Sequence, residues 1–237
     1  MIYNIDFLIS AMVILMLILW YFLGQKRAED LNNRVFLFFA VLGTADVVAE
    51  FFTNYYITSY NSDMGTAAVI VTTIFYLLQA LLPATFIFYI QTLHEQKIIS
   101  AKKMFISGVP TLVLISVILT NPFTEKLFSF DVTAGYVKGP WYLLMYVSAL
   151  GHFAVALLLI LLWRKKLGPQ KVKILLEIFV ISGVGVVLQM FCQSLLMTGF
   201  GMSLGILALF ITINNPNANL DSLTGLYNHL YLTRKMG

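Results

Sequence analysis

Asp46, Glu50 and Asn54 stand four residues apart in a stretch, 35–55, that is otherwise largely apolar. That i, i+4, i+8 spacing puts all three on one face of a helix. Two carboxylates and an amide in such a stripe can take a cationic ligand or one rich in hydrogen-bond donors. Alternatively, they can pair with neighbouring helices and fix their register. Gln79, His152 and Gln189 lie inside three other apolar stretches at comparable depth, and His152 could add sensitivity to pH. The expectation is a polar cavity lined by Asp46, Glu50, Asn54, Gln79, His152 and Gln189, open to the outside.

Other chemistries fit poorly. A retinal protein needs a lysine in the last apolar stretch, and none lies between Lys173 and Lys235. Haem wants paired axial ligands, whereas His94, His152 and His229 fall at different depths. Zinc lacks clustered ligands. No catalytic residue and no metal site are expected. Glu177 sits near the inner end of the sixth stretch, close to Lys171 and Lys173, which suggests a local ion pair or snorkelling. Cys192, within an apolar run, is expected to be inert packing, and a single cysteine allows no internal disulfide.

These residues need a scaffold, and composition names its surroundings. Hydrophobic residues make up 59% of the 237-residue chain and charged residues only 11%. A soluble domain is about a quarter charged, so this chain lacks the charges to wet its outside. Its outside is expected to be lipid. The basic residues are spread over short loops without aromatic stacking partners, so a nucleic-acid partner is not expected.

A helix needs about 20 mostly apolar residues to cross a bilayer. Seven stretches qualify: 4–24, 35–55, 65–91, 104–120, 140–163, 172–192 and 199–214. Trp20, Trp141 and Trp163 fall near their ends, where indole rings favour the headgroup zone. Met1 to Asp6 carries no Lys or Arg, which argues against a cleaved signal peptide and for an exported N-terminus. Orientation follows the basic residues. Lys26, Arg27, Arg34, Lys97, Lys102, Lys103, Arg164, Lys165, Lys166, Lys171, Lys173, Arg234 and Lys235 fall on one side, and only Lys126 and Lys138 on the other. The expected protein is an all-α, multi-pass bundle of seven membrane spans, N-terminus outside and C-terminus cytoplasmic.

Within that bundle, Pro83 removes a backbone donor from the third span and is expected to kink it. Gly201 and Gly205 form a small-xxx-small pair that lets helices approach closely, within the bundle or between two copies. In the longest outer loop, 121–139, Leu127-Phe128-Ser129-Phe130 and Tyr136-Val137-Lys138 flank a turn-prone stretch, which reads as a small β-hairpin lid.

After Pro216 the chain reads Asp221-Ser222-Leu223-Thr224-Gly225-Leu226-Tyr227-Asn228. This resembles the opening motif of GGDEF domains, the catalytic domains of diguanylate cyclases, usually D-x-L-T-G-L-x-N-R. Asp221, Leu223, Thr224, Gly225, Leu226 and Asn228 match in identity and spacing, and His229 stands where the arginine is expected. The stretch from Asn121-Pro122 to Tyr136-Val137-Lys138-Gly139-Pro140-Trp141-Tyr142 more loosely resembles the seven-helix sensor regions attached to bacterial histidine kinases and cyclases.

The resemblance implies three parts: a sensor module over 1–215, a short linker over 216–220, and the start of a GGDEF-type output domain over 221–237. It implies an inner-membrane receptor for an unknown small molecule, steering cyclic di-GMP synthesis. The metal-binding carboxylates and the Gly-Gly-acidic-acidic-Phe loop are absent, so the chain as it stands is not expected to be an enzyme. GTP and magnesium would belong only to a complete domain, and the full receptor would act as a homodimer. A solute transporter or channel, and the sensor of a histidine kinase, are the competing expectations.

Overall fold

The computed structural model describes residues 5–25, 31–59, 64–95 and 101–213. Among these, the chain forms α1 (Asp6–Leu23), α2 (Leu31–Thr58), α3 (Gly65–Glu95) and α4 (Ala101–Thr124). A hairpin of β1 (Phe128–Asp131) and β2 (Gly135–Lys138) follows, then α5 (Leu143–Leu162), α6 (Arg164–Leu167), α7 (Pro169–Phe191) and α8 (Met197–Ile213). A 3-10 turn at Gln193–Leu195 joins the last two helices, with Leu196 in a left-handed conformation (φ 48°). Within the described residues the first span begins at Asp6, and the last starts at Met197, two residues earlier than expected.

Among the described residues, five helices are long and apolar enough to cross a membrane: α1, α2, α3 over Gly65–His94, α5 and α7. α4 and α8 have shorter apolar stretches, Gly108–Thr124 and Met197–Thr212. The outer faces are apolar along the helical repeat. Val13, Met16, Leu17 and Trp20 are exposed on α1, Leu143, Val147, Leu150, Leu158 and Leu161 on α5, and Val180, Val184, Val187 and Phe191 on α7. A water-facing helix puts charged and polar residues there. The chain is a membrane-embedded helical protein. Cys192 is exposed at the end of α7 rather than packed inside, because the helix stops there and the turn to α8 leaves its side chain outside.

The helices close into a ring. α1 packs on α2 and α8, α2 on α3, α3 on α4 and α5, α5 on α7, and α7 on α8. The main core gathers Leu8, Leu15, Phe22, Phe36, Ile160 and Ile206 from four helices. Gly201 and Gly205 face α7. A Cβ on Gly201 would approach the Ile181 carbonyl at 3.1 Å, and one on Gly205 would meet Ile178 and Ser182 at 3.0 Å. The small-residue pair therefore serves packing inside the bundle. α3 runs through Pro83 as one helix, which leaves the Gln79 carbonyl without its i+4 donor.

The expected hairpin forms, antiparallel with Phe128 opposite Lys138. Asp131 shapes its turn by accepting the amides of Thr133 at 2.8 Å and Ala134 at 2.9 Å. These bonds, led by the Thr133 hydroxyl, hold the Asp131 carboxyl below the usual carboxylate range. Gly135 closes the turn at φ 69°. Asn121 of α4 anchors the other end. Its Oδ1 accepts Leu127 N–H at 2.7 Å and its amide donates to the Phe128 carbonyl at 2.9 Å. Leu127 and Phe128 are buried in a second core with Phe75, Tyr76 and Ile118. A Cβ at Gly139 would collide with the Lys126 carbonyl, so only glycine lets the chain turn back there.

Candidate functional site

α2 turns Asp46, Glu50 and Asn54 inward, exposed by only 2%, 1% and 6%. Burial this deep in apolar surroundings normally demands hydrogen-bond partners. Asn54 has one within its own helix, donating to the Glu50 carbonyl at 2.8 Å. Asp46 Oδ1 and Glu50 Oε2 have none, and neither do the buried hydroxyls of Thr53 and Thr72.

All four atoms belong to residues bordering two adjoining cavities, except that Asp46 borders one and the rest the other. The first, about 110 Å3, is lined by Asp46, Gln79, Pro83, Ser148, His152 and Ser182 among apolar walls that include Phe39, Phe86 and Phe153. The second, about 120 Å3, is lined by Glu50, Thr53, Asn54, Thr72, Tyr76 and Gln189 and reaches Tyr136 and Lys138 of the hairpin. Gln79, Met145, Ala149, Val186 and Thr198 line both and form the waist between them. The six residues expected from sequence are thus brought together, but around two cavities rather than one. Side chains from α3, α5, α7 and α8 converge at the waist and divide the space.

Gln189 connects the site to the last helix. Its Nε2 donates to Glu50 Oε1 at a long 3.5 Å, and its Oε1 accepts the backbone N–H of Thr198 at 2.6 Å. Thr198 lies in the first turn of α8, where free amides carry partial positive charge. Glu50 lies beside that same turn, since a Cβ on Gly199 would come within 2.9 Å of Glu50 Oε2.

His152 lines the first cavity, and both of its ring nitrogens are engaged by protein groups. Its Nδ1 bonds the Ser148 carbonyl at 2.7 Å and its Nε2 the Thr111 hydroxyl at 2.8 Å. A carbonyl only accepts, so Nδ1 carries the hydrogen and, in the neutral ring, Nε2 accepts from Thr111. Nε2 ties α5 to α4, Nδ1 is spent on a carbonyl of α5 itself, and the ring contributes a wall.

Sequence reasoning missed Thr53, Thr72 and a tyrosine cluster at the hairpin. Tyr76 and Tyr136 share a hydroxyl hydrogen bond of 2.7 Å, and Tyr142 and Tyr146 one of 3.2 Å. Lys138 Nζ lies 4.6 Å from the Tyr142 ring centroid, and partial burial lowers its ammonium pKa. The spacing of Thr53 from Glu50 and of Tyr142 from Tyr146 on helices could have flagged two of these. Glu177 pairs with Lys173, one of the two lysines expected near it, at 3.8 Å on the surface.

Among the described residues no three His, Cys, Asp or Glu side chains gather as a metal site would need. The motif at Asp221, Leu223, Thr224, Gly225, Leu226 and Asn228 lies outside the described residues, as do Lys26, Arg27, Lys97, Arg234 and Lys235. No protein-family model, no curated protein and no solved structure matches the chain.

Proposed function

We propose that the chain is a sensor module of seven membrane spans in a bacterial inner membrane. Its N-terminus lies outside, its C-terminus in the cytoplasm, and the hairpin at the outer face. A small molecule occupies the paired cavities, and the change is passed through α8 and the linker at 216–220 to a GGDEF-type domain that begins at Asp221 and makes cyclic di-GMP.

One observation carries the sensing half: Asp46 and Glu50 each line a cavity, and each keeps a buried oxygen without a partner. An ionisable group at bilayer depth costs about 3 kcal/mol on insertion scales. Groups serving only as interhelical glue would be fully paired, whereas Asp46 Oδ1 and Glu50 Oε2 lack partners even though Glu50 Oε1 accepts from Gln189. The ligand acts by population shift, favouring one packing of α2, α3, α5 and α7 around it. α8 responds because Gln189 ties its first turn to Glu50. The output half stands on the resemblance of 221–228 to the GGDEF opening motif. The paired-GTP chemistry of such domains makes the working receptor a homodimer, with GTP and magnesium bound only by the completed domain.

Two measurements test this. The coding sequence beyond Gly237 should supply a Gly-Gly-acidic-acidic-Phe loop; a phosphoacceptor-histidine helix there instead would make the chain a histidine-kinase sensor. Cyclic di-GMP in cells carrying that full coding sequence should change between growth media for the native protein and stay constant for Asp46→Ala plus Glu50→Ala. An unaltered response in the double variant removes the sensing role of the cavities. Solute uptake into liposomes by the purified chain would replace the sensor with a transporter.

A further inference from the structure

We propose that the paired cavities recognise a small organic amine, bound with its ammonium group between Asp46 and Glu50 and its apolar body in the first cavity. This names a ligand class for the sensor site and rests on that site being one.

Residues four apart on a helix have Cβ atoms about 5–6 Å apart, so one ammonium can reach both carboxylates. Two like charges at that spacing repel, and a cation between them turns repulsion into two charge-assisted hydrogen bonds. Asp46 Oδ1 and Glu50 Oε2 are the acceptors without partners, each on a side chain at most 2% exposed. An ammonium donates three hydrogen bonds, and Gln79, which lines both cavities and whose backbone carbonyl Pro83 leaves without its i+4 donor, offers further acceptors.

The rest of the ligand is specified by the walls. The first cavity is lined by Phe39, Leu82, Phe86, Leu114, Phe153 and Met202, which suit an aromatic ring or branched alkyl chain. Its volume of about 110 Å3 is somewhat below the roughly 150 Å3 that holds a benzene, so an aromatic body also takes space at the waist. Lys138 sits at the hairpin end of the second cavity, over Tyr142, and its charge disfavours a cation there. The ammonium is thereby directed to the Asp46 end. The unpartnered hydroxyls of Thr53 and Thr72 remain for a hydroxyl or amide on the ligand.

The probes are 2-phenylethylamine, its neutral analogue 2-phenylethanol, and the anion phenylacetate, with binding to the full chain in lipid nanodiscs followed by calorimetry and thermal shift. The amine should bind at least tenfold tighter than the alcohol. Asp46→Asn should bring the amine down to the alcohol's affinity and leave the alcohol unchanged. Ala149→Phe, which fills the waist, should abolish binding of both. Equal binding of amine and alcohol, preference for the anion, absence of binding by all three, or amine binding that survives Ala149→Phe each overturns the proposal. If Asp46→Asn fails to fold, the native amine-to-alcohol ratio and the Ala149→Phe result decide it. Alcohol or anion binding that Ala149→Phe removes would leave a ligand site with the wrong class assigned. Amine binding alongside cyclic di-GMP levels indifferent to cavity variants would leave the amine site standing and remove the sensor role.

Discussion

Asp46 and Glu50 sit where a folding protein gains nothing from a carboxylate, and this has a measurable signature. An unpaired buried polar group costs about 1–3 kcal/mol, more when charged. Asp46→Asn should therefore raise the Tm of the unliganded bundle, the trade of stability for function seen at binding sites. Gln189→Ala should do the opposite. It strips the Thr198 amide of its acceptor and leaves Glu50 with one partner fewer, a loss of about 1–3 kcal/mol by denaturant titration. Asp131 gives the pH dependence. Its folded pKa is depressed by the turn it organises, so its contribution is present above about pH 4, the unfolded value, and is lost as pH falls through the lower folded value. Trp141 fluorescence should report the hairpin loosening in acid, and Asp131→Asn should flatten that transition.

The helices were legible because hydropathy alone marks them, and the α2 stripe because periodicity does: Asp46, Glu50 and Asn54 are buried together as their spacing requires. The hairpin was legible from aromatic and β-branched runs around a turn. What the chain did not disclose depends on contacts between distant segments. Gln189 meets Glu50 across 139 positions and His152 meets Thr111 across 41. No local pattern encodes such partners, so the bond from His152 to Thr111 was not foreseen and one cavity was expected where a waist makes two. The Gly201 and Gly205 pair illustrates the same limit, since spacing shows that something packs closely there and only the fold shows that it is α7. Gly205→Leu should force α7 and α8 apart and cost about 1–3 kcal/mol or more as overpacking. Asn121→Ala should detach the hairpin, leaving Leu127 and Phe128 backbone groups unpaired, with increased amide exchange confined to 127–138.

At the scale of the whole molecule, the ring of helices has apolar outer faces and polar atoms gathered inside, the inverse of a water-soluble bundle. The proposed orientation is checked by membrane-impermeant thiol labelling of single cysteines introduced at Val132 and at Lys166 in a Cys192→Ser background. Position 132 should react in intact spheroplasts and position 166 only after lysis; the reverse pattern would invert the topology. Within this frame, one side chain joins the interior to the terminal helix. An amide neither gains nor loses a proton across physiological acidity, so the hold of Gln189 on the Thr198 N–H does not fade when the medium sours. Releasing it takes a displacement, and the neighbour placed to push is whatever fills the space beside Glu50. Such a joint ignores bulk chemistry and answers to shape.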